Sequence, residues 1–196
     1  MSDALDAALA VMDAAPEGVK TLLLGGLAAN AYRKVQRLTV DADLLLRGGI
    51  RSPRGLERIL LQRGFTRPPG KRVYKVGRFE WRRLLWPGDD PLAPSVVDLF
   101  FGDEGFLADV ARRAVPLKIK GRRILIASAE DIVAFKLLAI SSGRETRGHK
   151  IVIDEDDVRS ILSGLSSSLD IGYVREQAAS LGVLRLANRY LREAGL

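Results

Sequence analysis

Residues 21–46, TLLLGGLAANAYRKVQRLTVDADLLL, hold the pattern from which the rest of the chain can be read. An apolar run, Leu22-Leu23-Leu24, meets a glycine pair, Gly25-Gly26. An alanine-rich stretch, Leu27 to Val35, leads to a second apolar run that contains Asp41 and Asp43. The pattern predicts strand, glycine turn, helix, strand. Side chains two apart on a strand point to the same face, so Asp41 and Asp43 should stand side by side, about 6.6 Å apart along the chain. Their oxygens could then converge on one Mg²⁺, or on two ions about 3.5–4 Å apart. Two acids at the start of a strand also describe a solvated edge. Leu44-Leu45-Leu46 weighs against that, because it reads as buried on both faces. Carboxylates beside such a strand are costly without a cation or hydrogen bonds. The glycine pair opens the predicted helix, and small residues there present backbone N–H groups to phosphate.

The bulk properties set bounds on this reading. At 196 residues the chain fits one domain, or a core with a modest helical appendix. It is 47% hydrophobic and 28% charged, ordinary values for a water-soluble globular protein. No apolar run reaches the ~18 residues of a membrane span, so no membrane partner is expected. Met1-Ser2-Asp3 lacks the features of a signal peptide, and the absence of cysteine excludes disulfides and cysteine-bound zinc. A cytoplasmic location is the expectation. The net charge of +7 and pI of about 10.0, mostly from arginine, favour polyanionic partners. An arginine-rich composition alone would give the same numbers.

The remaining elements follow in order. Ser2 to Ala15 predicts a helix, ended by Pro16-Glu17-Gly18. The helix after the glycine pair should run from Gly26 to about Lys34; Asn30 and Tyr32 on it could serve a site or a neighbour. Arg47-Gly48-Gly49 is a turn, and Ser52-Pro53 caps a helix to Arg63 whose Arg54, Arg58 and Arg63 read as a solvated face. Val73–Val76 and Phe79–Leu85 predict a hairpin around Gly77, with arginines interleaved among Tyr74, Phe79, Trp81 and Trp86. That composition suits single-stranded nucleic acid. It suits better a half-exposed hairpin with aromatics down and arginines up. Asp89 and Asp90 sit in a loop and are not assigned to metal. Ser95–Phe101 is a buried strand with Asp98 at its centre, which implies either a third metal-site acid or an arginine partner such as Arg37. Asp103–Ala114 is a helix, Val115–Lys120 and Arg122–Ile126 are strands, and Ser128-x-x-Asp131 caps a helix over Ala129–Ser141. Lys136 lies within that otherwise apolar helix, where a lysine ordinarily snorkels to water. Arg144–Lys150 reads as a charged connector with the lone His149 exposed. Asp154–Leu162 reads as a helix whose first-turn acids suit its dipole. Two helices, Tyr173–Leu181 and Val183–Ala194, complete the chain.

The glycine pair followed by Asp41-x-Asp43 resembles the polymerase-β-like nucleotidyltransferase superfamily. Arg37-x-Thr39-x-Asp41-x-Asp43 is similar to the signature of its AbiEii-like branch, often toxins of toxin–antitoxin pairs. The phrase SAEDIVAFKLLA, the acids Asp154 and Asp157, and Leu169-Asp170-x-x-Tyr173 through Leu181-Gly182 extend the likeness from about Val19 to Gly182. Ile153 stands where the family has a lysine, and Lys150 could substitute. The resemblance implies an α+β fold: a nucleotidyltransferase core over residues 1–126, a mixed sheet flanked by helices, with a helical C-terminal part over 127–196. It implies a transferase that moves NMP from an NTP to an acceptor hydroxyl. Asp41, Asp43 and Asp98 would be catalytic and hold Mg²⁺, or Mn²⁺ in its place. Gly25, Gly26, Thr39, Lys136 and Asp154 would bind the nucleotide. Implied partners are tRNA, at its 3′ end, or other RNA, and a cognate antitoxin protein. The alternatives are a non-catalytic nucleotide- or protein-binding module, and an antitoxin-type enzyme that modifies a partner protein.

Overall fold

Leu22 and Leu23, Leu44–Leu46, and Val97 with Leu99–Phe101 are all buried, which places three strands in the interior of one sheet. A computed structural model describes residues 3–48, 52–70, 72–76, 79–88, 90, 92–143 and 148–196. The chain forms two compact units. Met1–Leu27 with Leu38–Ala127 make the first, and Ala28–Arg37 with Ser128–Leu196 make the second. The expected turns at Gly49 and Gly77, together with Met1, Ser2, Asp89, Pro91 and residues 144–147, lie outside the described residues.

The first unit is built on a seven-stranded mixed sheet. Its strands are β1 (Lys20–Leu23), β2 (Asp41–Arg47), β3 (Val73–Val76), β4 (Phe79–Trp86), β5 (Ser95–Phe101), β6 (Val115–Ile119) and β7 (Arg122–Ile126). The order is β3-β4-β5-β2-β1-β7-β6. β2 runs parallel to β5, and β1 parallel to β7; the other neighbours are antiparallel. Helices α1 (Asp3–Ala14), α3 (Pro53–Gln62) and α4 (Glu104–Arg113) belong to this unit. The Ser52 cap forms as the sequence implies, with its hydroxyl accepting from the Gly55 N–H at 3.0 Å. Arg54, Arg58 and Arg63 are exposed.

The β3–β4 hairpin corrects one expectation. Its aromatics do pack inward: Trp81 stacks between Tyr74 at 4.8 Å and Phe100 at 5.9 Å. Its arginines do not all face water. Arg82 is buried and donates to Glu57 of α3 at 2.6 Å, while Arg67 donates to the other oxygen of Glu57 at 2.7 Å. Burial pushes the Glu57 carboxyl up, but the two guanidiniums prevail and hold it below its ordinary value. Rings stacked on one another are also not free to stack on bases.

The second unit is helical: α5 (Ala129–Ser141), α6 (Gly148–Gly164), α7 (Ile171–Ser180) and α8 (Leu184–Glu193). The short α2 (Gly25–Ala29) carries the chain from the first unit into the second. α2 stops five residues before the expected Lys34 because Asn30 offers the backbone another partner. Its side-chain amide donates to the Arg37 carbonyl at 2.8 Å and accepts from the Arg37 N–H at 3.0 Å, closing residues 30–37 into a loop. α6 starts at Gly148, not Asp154, so Lys150 is helical and the acids lie in the middle of the helix.

α5 opens as its sequence implies. Ser128 Oγ accepts from the Asp131 N–H at 3.2 Å and donates to Asp131 Oδ2 at 2.7 Å. Tyr173 of α7 donates its hydroxyl to Asp131 Oδ1 at 3.0 Å. The half-buried Tyr32 shares this neighbourhood. Burial first, then the charges of Glu130 and Asp131, push its phenol up to about 12. The folded value exceeds the unfolded one of about 10. Its contribution to stability is therefore complete below pH 10 and lost as pH rises toward 12. Ultraviolet titration of tyrosinate should show a late phase near pH 12 that disappears in Tyr32→Phe; an unchanged late phase would refute the assignment.

Candidate active site

The strand register brings three acids onto one face of the first unit's sheet. Asp41 and Asp43 are two apart on β2, and Asp43 is the register partner of Asp98 on β5. Alternation along β2 leaves the other face to Ala42, Leu44 and Leu46, all of which are buried. Asp41 and Asp43 are partly exposed, and Asp98 is buried.

Gly25 shapes the position of Asp43. Its φ is +59°, in the left-handed region where a side chain is strained. A Cβ built on Gly25 would lie 1.8 Å from Asp43 Oδ2 and 2.5 Å from its carboxyl carbon. The Leu24 N–H donates to the Asp43 carbonyl at 2.8 Å, fixing the backbone of the acid against the turn. The glycine therefore serves the carboxylate directly, by leaving it room. Gly26 is buried. Thr39, also buried, has its hydroxyl 3.5 Å from the Asp41 carbonyl.

Asp98 does have an arginine partner, and it is Arg83 of β4. Arg83 Nε donates to one oxygen at 2.9 Å and its terminal nitrogen to the other at 2.7 Å. Arg83 is also the cross-strand register partner of Asp98. The hydrogen bond to Asp98 raises the Arg83 pKa further above its ordinary value, against the effect of burial, with Tyr74 and Asp41 adding to it. The guanidinium lies 5.7 Å from the centre of the Tyr74 ring. Among the described residues, no three acidic or imidazole groups converge tightly enough to form a ready metal cage. The fit to a metal rests instead on the donor set. Three carboxylates on one face supply only oxygen, the chemistry of Mg²⁺, and the space at Gly25 keeps the Asp43 oxygen in place.

Lys136 and Asp154, the remaining sequence candidates, belong to the second unit and meet there. Lys136 does not snorkel: its ammonium is buried, 2.5 Å from Asp154 and 2.8 Å from Asp157. Asp157 is wholly buried and also receives Arg33 at 2.6 Å and Arg37 at 2.9 and 2.7 Å. Arg33 reaches Asp156 as well, at 2.7 Å. Burial pushes the Asp157 carboxyl up, but Arg37 and Lys136 dominate and hold it below the usual range. Arg37 is thus committed to Asp157, and sequence reasoning missed both that and Arg83. The charged stretches were visible; which cation met which acid was not.

No family model matches the chain, and no curated protein matches it. Solved structures do. A nucleotidyltransferase-like antigenic protein from Paracoccidioides brasiliensis shares 17% identity, with a TM-score of 0.50 over 96% of this chain and 91% of that one. The antibiotic-resistance factor ANT(2'')-Ia shares 19%, with a TM-score of 0.54 over 97% of this chain and 98% of that one. At these identities the likeness is one of fold: a mixed α/β architecture of the nucleotidyltransferase-like kind. No helix among the described residues is long and apolar enough to cross a membrane.

Proposed function

We propose that the chain is a metal-dependent nucleotidyltransferase that moves NMP from an NTP to an acceptor hydroxyl and releases pyrophosphate. The observation that supports it best is the register of β2 and β5, which sets Asp41, Asp43 and Asp98 on one face of a sheet with this fold. Asp41 and Asp43 would hold Mg²⁺, or Mn²⁺ in its place, and Asp98 would complete the set. Bound there, the metal lowers the pKa of the acceptor hydroxyl and neutralises charge on the leaving pyrophosphate. Asp98 takes the hydroxyl proton. Gly25 and Gly26 give the triphosphate close access to backbone, and Thr39 supports the turn into β2. Lys136 and Asp154 are assigned to the nucleotide by resemblance: the lysine as a phosphate-binding cation, the acid as the group that orients it. The same resemblance names the 3′ end of tRNA as acceptor and a toxin–antitoxin pair as setting, with a cognate antitoxin as protein partner.

Transfer of label from each α-labelled NTP to total tRNA, with Mg²⁺, tests this. Labelled RNA is expected from the wild type, falling by roughly 10²–10³ in Asp43→Asn and vanishing with EDTA. NTP binding without label on RNA would move the acceptor to a protein or small molecule. No NTP binding would end the catalytic reading. The bidentate Arg83–Asp98 pair favours one rival, a nucleotide-binding module without turnover, because it occupies both oxygens of the proposed proton acceptor. Binding of all four NTPs with no pyrophosphate release would establish that rival.

A further inference from the structure

We infer that the β6–β7 hairpin is a binding surface for the phosphodiester backbone of a nucleic-acid strand. The inference rests on the nucleotidyltransferase reading only for its purpose, since it gives the acceptor a place to lie.

Lys118 and Arg123 are directly opposed register partners on β6 and β7, and both are exposed. Like charges so placed repel each other and destabilise a hairpin. The hairpin's other two cations are neutralised: Lys120 pairs with Asp6 at 2.5 Å, and Arg122 with Asp13 at 2.9 and 2.5 Å, both acids of α1. No acid pairs with Lys118 or Arg123 among the described residues. With Pro116, Leu117 and Gly121 they line a shallow cleft of about 290 Å³. The Lys120–Gly121 turn has positive φ at both residues, +48° and +78°, the geometry of a two-residue hairpin turn that keeps the two strands adjacent.

The sheet also aims this pair. Leu22 is the partner of Leu45 and so shares the face of Asp43. Leu23 therefore faces the other way, and so does its partner Ile126. Arg123 lies three residues before Ile126, an odd step that returns it to the carboxylate face, and Lys118 follows its partner. Arg122 stands on the opposite face, consistent with its bond to α1. In the plane of the sheet, two to three strand spacings and about four residues of rise separate the pair from Asp43, roughly 15–20 Å. That distance is short enough for one strand to lie across the pair and reach the acids. Two unneutralised cations on the face that carries the acids, one short strand-length away, match a backbone of regularly spaced phosphates.

The test is fluorescence anisotropy with a labelled single-stranded RNA of about a dozen nucleotides and DNA of the same sequence, without NTP. Lys118→Glu/Arg123→Glu is compared with Arg54→Glu/Arg58→Glu, which changes net charge equally on the exposed side of α3. The hairpin variant should bind both strands at least about tenfold more weakly, and its salt slope should fall by about 1.4, two contacts at ~0.7 each. The α3 variant should bind as the wild type, and Lys118→Arg/Arg123→Lys should restore binding. Equal weakening in both charge-reversed variants, unaltered binding by the hairpin variant, or one-for-one displacement of RNA by free triphosphate would overturn the inference. So would a wild type that binds neither strand. Asp43→Asn that binds RNA normally, beside a wild type that binds no NTP, would leave this surface standing and end the catalytic reading.

Discussion

Gly25→Ala is expected to abolish nucleotidyl transfer as thoroughly as removal of the Asp43 carboxylate. Two physical causes coincide at this residue. The backbone at φ +59° costs an alanine about 1–2 kcal/mol. The added Cβ would also stand 1.8 Å from Asp43 Oδ2, well inside any real contact, so the acid must leave its place. The two can be separated with Gly64, which has φ +89° and nothing within 4 Å of its would-be Cβ. Gly64→Ala should lose a similar amount of stability in urea and keep its transfer rate. Gly25→Ala should lose both, by about 10²-fold or more in rate. Combining it with Asp43→Asn should give no further loss, because both changes disable one group. Full additivity of the two would mean that Gly25 serves phosphate alone, and the packing account would fail.

The second large effect is on stability. Asp157→Asn keeps the shape of the side chain and removes the charge that Arg33, Arg37 and Lys136 share. Arg33 would keep Asp156 and Lys136 would keep Asp154, but all three cations would lose the buried charge that joins them, and breaking a buried pair in this way costs about 3–5 kcal/mol. Chemical denaturation followed by helix content should show that loss, and limited proteolysis should cut Ser128–Leu196 first. The wild type adds a pH signature. The folded Asp157 carboxyl lies below its unfolded value of about 3.9. Its contribution is therefore complete above pH 4 or so and is lost as pH falls through the lower folded value. The variant should lack that portion of the acid transition. A midpoint equal to wild type would show the cluster to be energetically neutral.

What the sequence made legible was local. The limits of β5 and α5, the Ser52 and Ser128 caps and the pairing of Asp41 with Asp43 on one face all depend on neighbours a few residues away. The alanines of residues 27–31 favour a longer α2, but the competing bond from Asn30 reaches Arg37, seven positions on. Four consecutive acids look like a first turn, yet α6 starts at Gly148, and three of the acids meet cations from elsewhere in the chain. Arg83 illustrates the general difficulty. Its exposed-looking position between Arg82 and Leu84 says nothing of Asp98, fifteen residues away, until the register of β4 on β5 is known.

The loop of Ala28–Arg37 also dictates an order of assembly. These residues leave the ribosome before the roughly 90 residues Leu38–Ala127 that complete the other unit. Arg33 and Arg37 must wait for Asp157, 124 and 120 positions later. At typical synthesis rates of about 5–20 residues per second, that wait lasts about 6–25 seconds. During it the sheet can already close, while two guanidiniums stand without the carboxylate that will bury them. Closing so long a loop costs only about 0.6 kcal/mol more than closing one half its length. The delay is therefore one of timing rather than of free energy, and a nascent chain halted before α6 would carry a basic loop still without its anion.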